Sequence, residues 1–211
     1  GNRTLTFAKA AVCTGARASA PPTSGLNEAG YLTNETVFSL TELPARIGVI
    51  GAGPIGCELA QSFARFGSQV YLVEAEHGIL PNEDRDAADI VEQQMLRDGV
   101  MLLCCGKELK VQKTEAGKRM TVDSHGRQYD VMVDEILVGV GRAPNVEGIG
   151  LDAVGVEYDK SGVKVNHRLQ TTNPRIYAAG DICSRYKFTH AADAMAQIVI
   201  QNALFPHPLG L

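Results

Sequence analysis

The stretch Arg46-Ile47-Gly48-Val49-Ile50-Gly51-Ala52-Gly53-Pro54-Ile55-Gly56-Cys57-Glu58, answered at 70–74 by Val70-Tyr71-Leu72-Val73-Glu74, decides the fold. A short apolar run leads into Gly51, Gly53 and Gly56, a GxGxxG. A segment of helical period follows, then a second apolar run that ends in an acid 23 positions after Gly51. Strand, glycine turn, helix, strand and acid in this order are the context of a dinucleotide-binding βαβ unit. Gly51 allows the tight turn, Gly53 lets backbone approach a pyrophosphate, and Gly56 lets helix and strand pack closely. The helix N-terminus offers unpaired N–H groups and a positive dipole end to phosphate. Gly51, Gly53, Pro54, Ile55 and Gly56 are therefore read as cofactor-binding. Glu74 is placed to accept both ribose hydroxyl protons and to repel a 2′-phosphate, which favours NADH over NADPH. Arg85, the nearest downstream cation, is read as facing solvent.

Outward from this unit, the pattern predicts an α/β fold. The first helix buries Ile55, Leu59, Phe63 and Phe66 and stops at Gly67. A second helix is expected from about 82 to 98, its start loaded by Asn82, Glu83, Asp84 and Asp86. Val100 to Cys104 reads as a buried third strand. Then the period changes. Segments 108–113, 119–123 and 127–133 read as three short strands joined by turns at 115–118 and 124–126, a β-meander inserted in the α/β domain. Glu135 to Val140 is another apolar run. Before the unit, Thr4 to Thr14 reads as two short strands, and 34–38 and 40–43 as helical turns. After it come a strand at 163–165, a strand at 176–179 closed by Gly180-Asp181, and a helix over 189–205. That helix carries Ala192, Met195, Val199 and Ala203 on one face.

The totals set bounds. With 20 basic and 24 acidic residues, the net charge of −4 leaves no basic stripe, so nucleic acid is not an expected partner. No apolar run approaches the roughly 20 residues of a membrane span. The opening Gly1-Asn2-Arg3-Thr4 has no signal-peptide h-region. Five cysteines, an odd number without framework spacing, fit a reducing compartment, and the cytoplasm is the expected location.

Four motifs together resemble the flavin-dependent pyridine nucleotide–disulfide oxidoreductases. Val12-Cys13-Thr14-Gly15-Ala16-Arg17 is similar to the ATG segment of the flavin domain, with Cys13 in place of alanine. Gly51 to Glu58 matches the nicotinamide-side glycine motif. Val140-Gly141-Arg142-Ala143-Pro144-Asn145 is similar to the GRxPN segment. Thr171 to Asp181 matches the second flavin motif, and Phe188 to Asp193 looks most like the mercuric-reductase-like branch. The resemblance implies a Rossmann-like FAD/NAD(P)-binding fold, a parallel sheet with the inserted meander, plus partial flavin-domain segments. It implies a flavin-domain segment at 1–43, an NAD(P)-binding domain at 44–147, and a return to the flavin domain with a linker at 148–211. The family's own flavin-binding GxGxxG, Cys-x4-Cys redox pair and dimerisation-domain His–Glu pair have no counterpart here. The chain is therefore expected to be a piece of a longer, homodimeric enzyme, inactive alone and without catalytic residues of its own. The parent is expected to pass hydride from NADH to FAD. Its rivals are a parent that uses NADPH and, in another class, a non-catalytic nucleotide sensor or regulatory module.

The resemblance extends to single residues. Glu58 matches an acid that pairs with a flavin-domain lysine, although an acid in a first helical turn also complements the dipole. Gly141 matches a glycine on the nicotinamide side, and a structural reading of it stands equally. Thr14, Gly15, Gly180 and Asp181 match flavin contacts, Asp181 holding the ribityl chain. His190, at a helix start facing the flavin ring in the family, is as a lone histidine more often structural. Adjacent Cys104 and Cys105 suggest a soft metal or a strained disulfide. Their reading as small hydrophobes at a strand end is preferred. No His/Cys cluster has zinc spacing, and no metal is expected. Apolar surface on Ile198, Val199, Ile200, Leu204 and Phe205 is expected to be exposed and to drive self-association.

Overall fold

The computed structural model describes residues 6–205. In chain order the elements begin with β1 (Ala10–Val12), β2 (Ala16–Ala18), α1 (Leu26–Ala29), β3 (Arg46–Ile50), α2 (Pro54–Phe66) and β4 (Gln69–Val73). Next come α3 (Arg85–Arg97), β5 (Val100–Leu103), β6 (Lys107–Thr114), β7 (Gly117–Ser124), β8 (Arg127–Val133) and β9 (Glu135–Val138). The last are β10 (Arg142–Pro144), β11 (Tyr158–Asp159), β12 (Gly162–Val163), β13 (Ile176–Ala178) and α4 (Thr189–Leu204). The described residues divide into two compact units, Ala18–Gly141 and the segments before and after it.

In the 18–141 unit, β5-β4-β3-β9 form a four-stranded sheet, parallel throughout. A parallel sheet is stable when both faces are covered, so its strands read as continuous apolar runs rather than alternating ones. Here Ile47, Val49, Val70, Leu72, Val100 and Leu137 meet the helices through Cys57, Ala60, Phe63 and Met95. The opposite face, Ile50, Tyr71, Val73, Leu103, Ile136 and Val138, meets the meander through Val111, Met120, Val122 and Val133. The meander β6-β7-β8 is antiparallel. A Cβ on Gly48 would lie 2.3 Å from Met120 Sδ, so this glycine is what lets the meander close down on β3.

Several expectations shift in detail. Phe66 is 71% exposed, while Cys57 and Ala60 face the sheet. The small residues are selected there because α2 lies close over β3 and β4. The second helix starts at Arg85, and Asp84 at its N-cap makes no side-chain cap bond. The chain at 18–43 packs into this unit: Leu26, Ala29 and Val37 are buried in its cores. Leu26–Ala29 forms a helical turn although Pro21-Pro22, Ser24-Gly25 and Gly30 around it are residues that break helical period. Of the turns expected at 34–43, the 3₁₀ segment Val37–Ser39 is present and 40–43 is not helical.

In the other unit, β1 pairs in parallel with β13, and β11 with β12 as a hairpin. The second short strand falls after Thr14 rather than before it, because Gly15 turns the chain at φ 67. Residues 4 and 5 of the expected opening strand lie outside the described residues. Val146, Leu151, Val156, Val163, Ile176, Ala178 and Ile182 make one cluster. Leu169, Tyr177, Ala179, Met195 and Val199 make another under α4. Val199 is thus core, against expectation, while Ile200, Leu204 and Phe205 are exposed. No helix among the described residues is long and apolar enough to cross a membrane.

Candidate functional site

The glycine turn joins β3 to α2 at the carboxyl edge of the parallel sheet. Each glycine is held for a different reason. Gly51 has φ 99, and a Cβ there would sit 2.8 Å from the Gly139 carbonyl oxygen. A Cβ on Gly56 would lie 1.8 Å from the Gly51 carbonyl oxygen, so the helix could not approach the strand. Gly53 is different. Its φ is −72, any residue's territory, and nothing lies within 4 Å of where its Cβ would be. The fold does not require glycine at 53. The space beside its backbone is open.

The N-terminus of α2 is open. Gly53 provides no side-chain cap, Pro54 stands at the first helical position, and the first amide in the helical ladder is Cys57 N–H, donating to the Gly53 carbonyl at 2.9 Å. Among the described residues the N–H groups of Gly53, Ile55 and Gly56 have no acceptor, and they are left for an external one, with the positive helix end behind them. Glu74 follows β4 directly. Its Oε2 accepts the Ala52 N–H at 2.7 Å and its Oε1 the Glu76 N–H at 3.1 Å. A carboxylate has about four lone-pair sites, so two such bonds fix the group and leave capacity for hydroxyl donors. Arg85 turns back to donate to the Ile79 carbonyl at 2.9 Å and to Asp89.

Glu58 is exposed on α2, one residue beyond the first turn, and helps line a depression of about 310 Å³ with Pro54, Cys57, Gln61, Leu80, Glu83 and Val91. Ile55 is half-buried. Cys57 is buried and donates to the Ala52 carbonyl at 3.2 Å. Burial pushes its thiol up to about 12, so it is a packing group and not a nucleophile. Gly141 is exposed, with φ 140 and open space at its Cβ position. Gly139 escaped the sequence reading. A Cβ there would lie 3.3 Å from Gly56 N, so it completes the wall of the turn. The alternation Val138-Gly139-Val140-Gly141 at a strand end was the available signal.

The other unit assembles the remaining motifs. Thr14 Oγ1 donates to the Asn145 carbonyl at 3.0 Å, Asn145 Nδ2 to the Thr14 carbonyl at 2.9 Å, and Asn145 N–H to the Gly15 carbonyl at 2.9 Å. Arg17 makes a two-point contact with Glu147. Segments 130 residues apart are thereby stitched together. Gly180, at φ 80, opens a 3₁₀ turn over Gly180–Ile182 that carries Asp181. The Asp181 carboxylate pairs with Arg142 at 3.1 Å. Arg142 also donates to the Ala16 carbonyl, and its buried Nε–H has no partner among the described residues. His190, in the first turn of α4, is exposed and stacked on Phe188 with centroids 5.3 Å apart.

The structure also gathers four side chains that spacing did not connect: His77, Cys104, Cys105 and His125. The two cysteines lie past the end of β5 and are half-buried, rather than being part of the strand.

Comparison with known proteins agrees with these motifs. The family model for pyridine nucleotide-disulphide oxidoreductases matches residues 1–196. The chain is 34% identical over 194 residues to mercuric reductase of Staphylococcus aureus, covering 92% of this chain and 36% of that protein. It is 35% identical over 161 residues to dihydrolipoyl dehydrogenase of Bacillus subtilis (strain 168), covering 76% of this chain and 35% of that one. Among solved structures, the HOCl-induced flavoprotein disulfide reductase RclA from Escherichia coli superposes with a TM-score of 0.85 at 30% identity, over 96% of this chain and 46% of that one. The chain thus spans between a third and a half of the length of these relatives. The match over 1–196 means that the chain belongs to the pyridine nucleotide-disulphide oxidoreductase family.

Proposed function

We propose that the glycine turn binds the pyrophosphate of NADH and that the parent protein passes hydride from NADH to FAD, and onward to a disulfide or related acceptor. The family uses FAD and NAD(P)H. The observation that carries the reading is Gly53: a glycine demanded by neither φ nor packing, beside the uncapped start of α2. Glu74, fixed by the Ala52 and Glu76 amides, receives the ribose hydroxyls and disfavours a 2′-phosphate. Pro54, Ile55 and Glu58 line the approach along α2, and Gly141 leaves room at the nicotinamide end.

In this reading 44–147 is the nicotinamide side, and 1–43 with 148–211 supply flavin contacts. The flavin supplies the redox chemistry, and the protein supplies binding and orientation. The Asp181 carboxylate and the unpartnered Arg142 Nε–H are the polar groups offered to a polyol-bearing cofactor. Thr14, Gly15, Gly180 and His190 surround that role. The parent is a homodimer in a reducing compartment, the cytoplasm. A non-catalytic nucleotide sensor would share the glycine turn and would need no Cys-x4-Cys pair, which the cysteines at 13, 57, 104, 105 and 183 do not form.

The test is a parallel fluorescence titration of the chain with NADH and NADPH. Saturable binding is expected, tighter for NADH, with the preference lost in Glu74→Ala. Tighter NADPH binding would overturn the role of Glu74, and no binding of either would overturn the function of the turn. In the full-length parent, NADH-dependent flavin reduction separates the enzyme from the sensor.

A further inference from the structure

Three loops of the 18–141 unit bring four soft donors together, none of them from the glycine turn itself. His77 comes from the loop after β4, Cys104 and Cys105 from the loop after β5, and His125 from the β7–β8 turn. One donor atom from each lies within 4.8 Å of all the others. Cys104 Sγ is 3.2 Å from His125 Nε2, and Cys105 Sγ is 3.5 Å from His77 Nδ1. The imidazoles stand at 90° with centroids 6.1 Å apart. A tetrahedral ion with metal–sulfur bonds of ~2.3 Å and metal–nitrogen bonds of ~2.0–2.1 Å sets each sulfur about 3.6 Å from each nitrogen. Both of these sulfur–nitrogen separations are within a few tenths of an ångström of that value.

We infer that His77, Cys104, Cys105 and His125 form a tetrahedral site for a zinc-class divalent cation. Two thiolates and two neutral imidazoles balance the charge of a divalent ion, and the donor set selects zinc over the oxygen-seeking magnesium and calcium. Binding breaks the two S–H bonds, forms two metal–sulfur and two metal–nitrogen bonds, and releases two protons to solvent. No electron moves.

The loops are held for this by hydrogen bonds to backbone carbonyls. Cys105 N–H donates to the Glu76 carbonyl at 2.9 Å, Gly106 N–H to the Glu74 carbonyl at 2.8 Å, and Ser124 Oγ to the Cys104 carbonyl at 2.6 Å. His125 occupies, at φ 54, a two-residue turn in which Asn or Gly is the usual choice, and Cys105 stands at φ 52. The two histidines are exposed, so an ion has a path in. The sulfur–nitrogen partners are 21 and 28 residues apart in sequence, which is why zinc-finger spacing does not reveal them.

The experiment is zinc competition against a chromophoric chelator, and cobalt(II) spectroscopy, on the freshly reduced chain. Expected are one ion per chain, sulfur-to-cobalt charge-transfer bands with the d–d bands of a tetrahedral ion, and two protons released per zinc. The double variant Cys104→Ser/Cys105→Ser abolishes the charge transfer. His125→Asn keeps the turn, since Asn-Gly suits it, and weakens zinc by more than the roughly 10–100-fold that loss of a supporting contact costs. A sulfur-free octahedral cobalt spectrum would overturn the site. So would zinc affinity unchanged in the folded His125→Asn protein, or no zinc uptake by a chain whose thiols are shown to be reduced.

Discussion

The glycine at 56 and the glycine at 180 each belong to a motif that follows a parallel strand, Gly56 in the first turn of α2 and Gly180 at the start of a 3₁₀ turn. They are not held alike. At Gly56 a Cβ would run into the Gly51 carbonyl oxygen at 1.8 Å, whereas at Gly180 it would meet only the Ala192 side chain at 3.4 Å. The first turn is fixed by backbone against backbone, inside a sheet covered on both faces. The second rests on a positive φ and on an ion pair. A motif that is sterically closed by its own unit keeps its geometry alone, and a motif held by side chains depends on what surrounds them.

Breaking this contrast should begin with Gly56→Ala. It is expected to abolish NADH binding and to cost about 1–3 kcal/mol or more in chemical denaturation, as overpacking does. Gly180→Ala should leave NADH binding intact and cost on the order of 1–2 kcal/mol, from left-handed strain alone. Equal losses would erase the distinction. Gly53→Ala sharpens it further: an unchanged denaturation midpoint, with NADH binding weakened at least about tenfold, which is ~1.4 kcal/mol.

Smaller again is the ion pair at the entry to the sheet. Asp134 accepts the Arg46 N–H at 2.7 Å and pairs with the Arg46 guanidinium. The hydrogen bonds from Arg46 hold the Asp134 carboxyl below the ordinary carboxylate range. The stabilisation is therefore present above that range and is lost as pH falls through the lowered folded value. Asp134→Asn should lower Tm by a few degrees at neutral pH, and the difference should vanish in acid. A gap that widened on acidification would reverse the sign. Smallest is Leu204→Lys on α4, where the side chain is 73% exposed. Stability should stay within about 0.5 kcal/mol. Any concentration-dependent association seen in sedimentation velocity should weaken.

The strands, α2 and the meander were legible because apolar period and turn chemistry are local. Ile47 to Ile50 and Val70 to Val73 announce a doubly covered sheet by themselves, and Ser124-His125-Gly126 announces a hairpin. Less legible was whatever depends on a partner distant in sequence. Phe66 looked like core because helical period cannot say where the neighbouring strand ends. The Gly139 wall, the Arg142–Asp181 pair and the zinc-class cluster each join segments that only the folded topology brings together. Glu74 is the intermediate case. Its place came from spacing, but its grip on the Ala52 amide did not.

The central strand β3 has one more consequence, in time rather than space. It pairs with β4 across one helix, but with β9 only after a loop that separates Arg46 from Asp134 by 88 positions. Closing so long a loop is entropically slow compared with local pairing. The β3–α2–β4 crossover is thus expected to form early, and β9 to dock once the meander exists. Gly139 follows β9 and walls the glycine turn, so the turn is completed by the last strand to arrive. In a stopped-flow refolding experiment, recovery of NADH binding should lag behind recovery of helical circular dichroism. The cofactor would then act as a reporter of finished topology, and newly made chains would pass through a stage that has the motif but not yet the site.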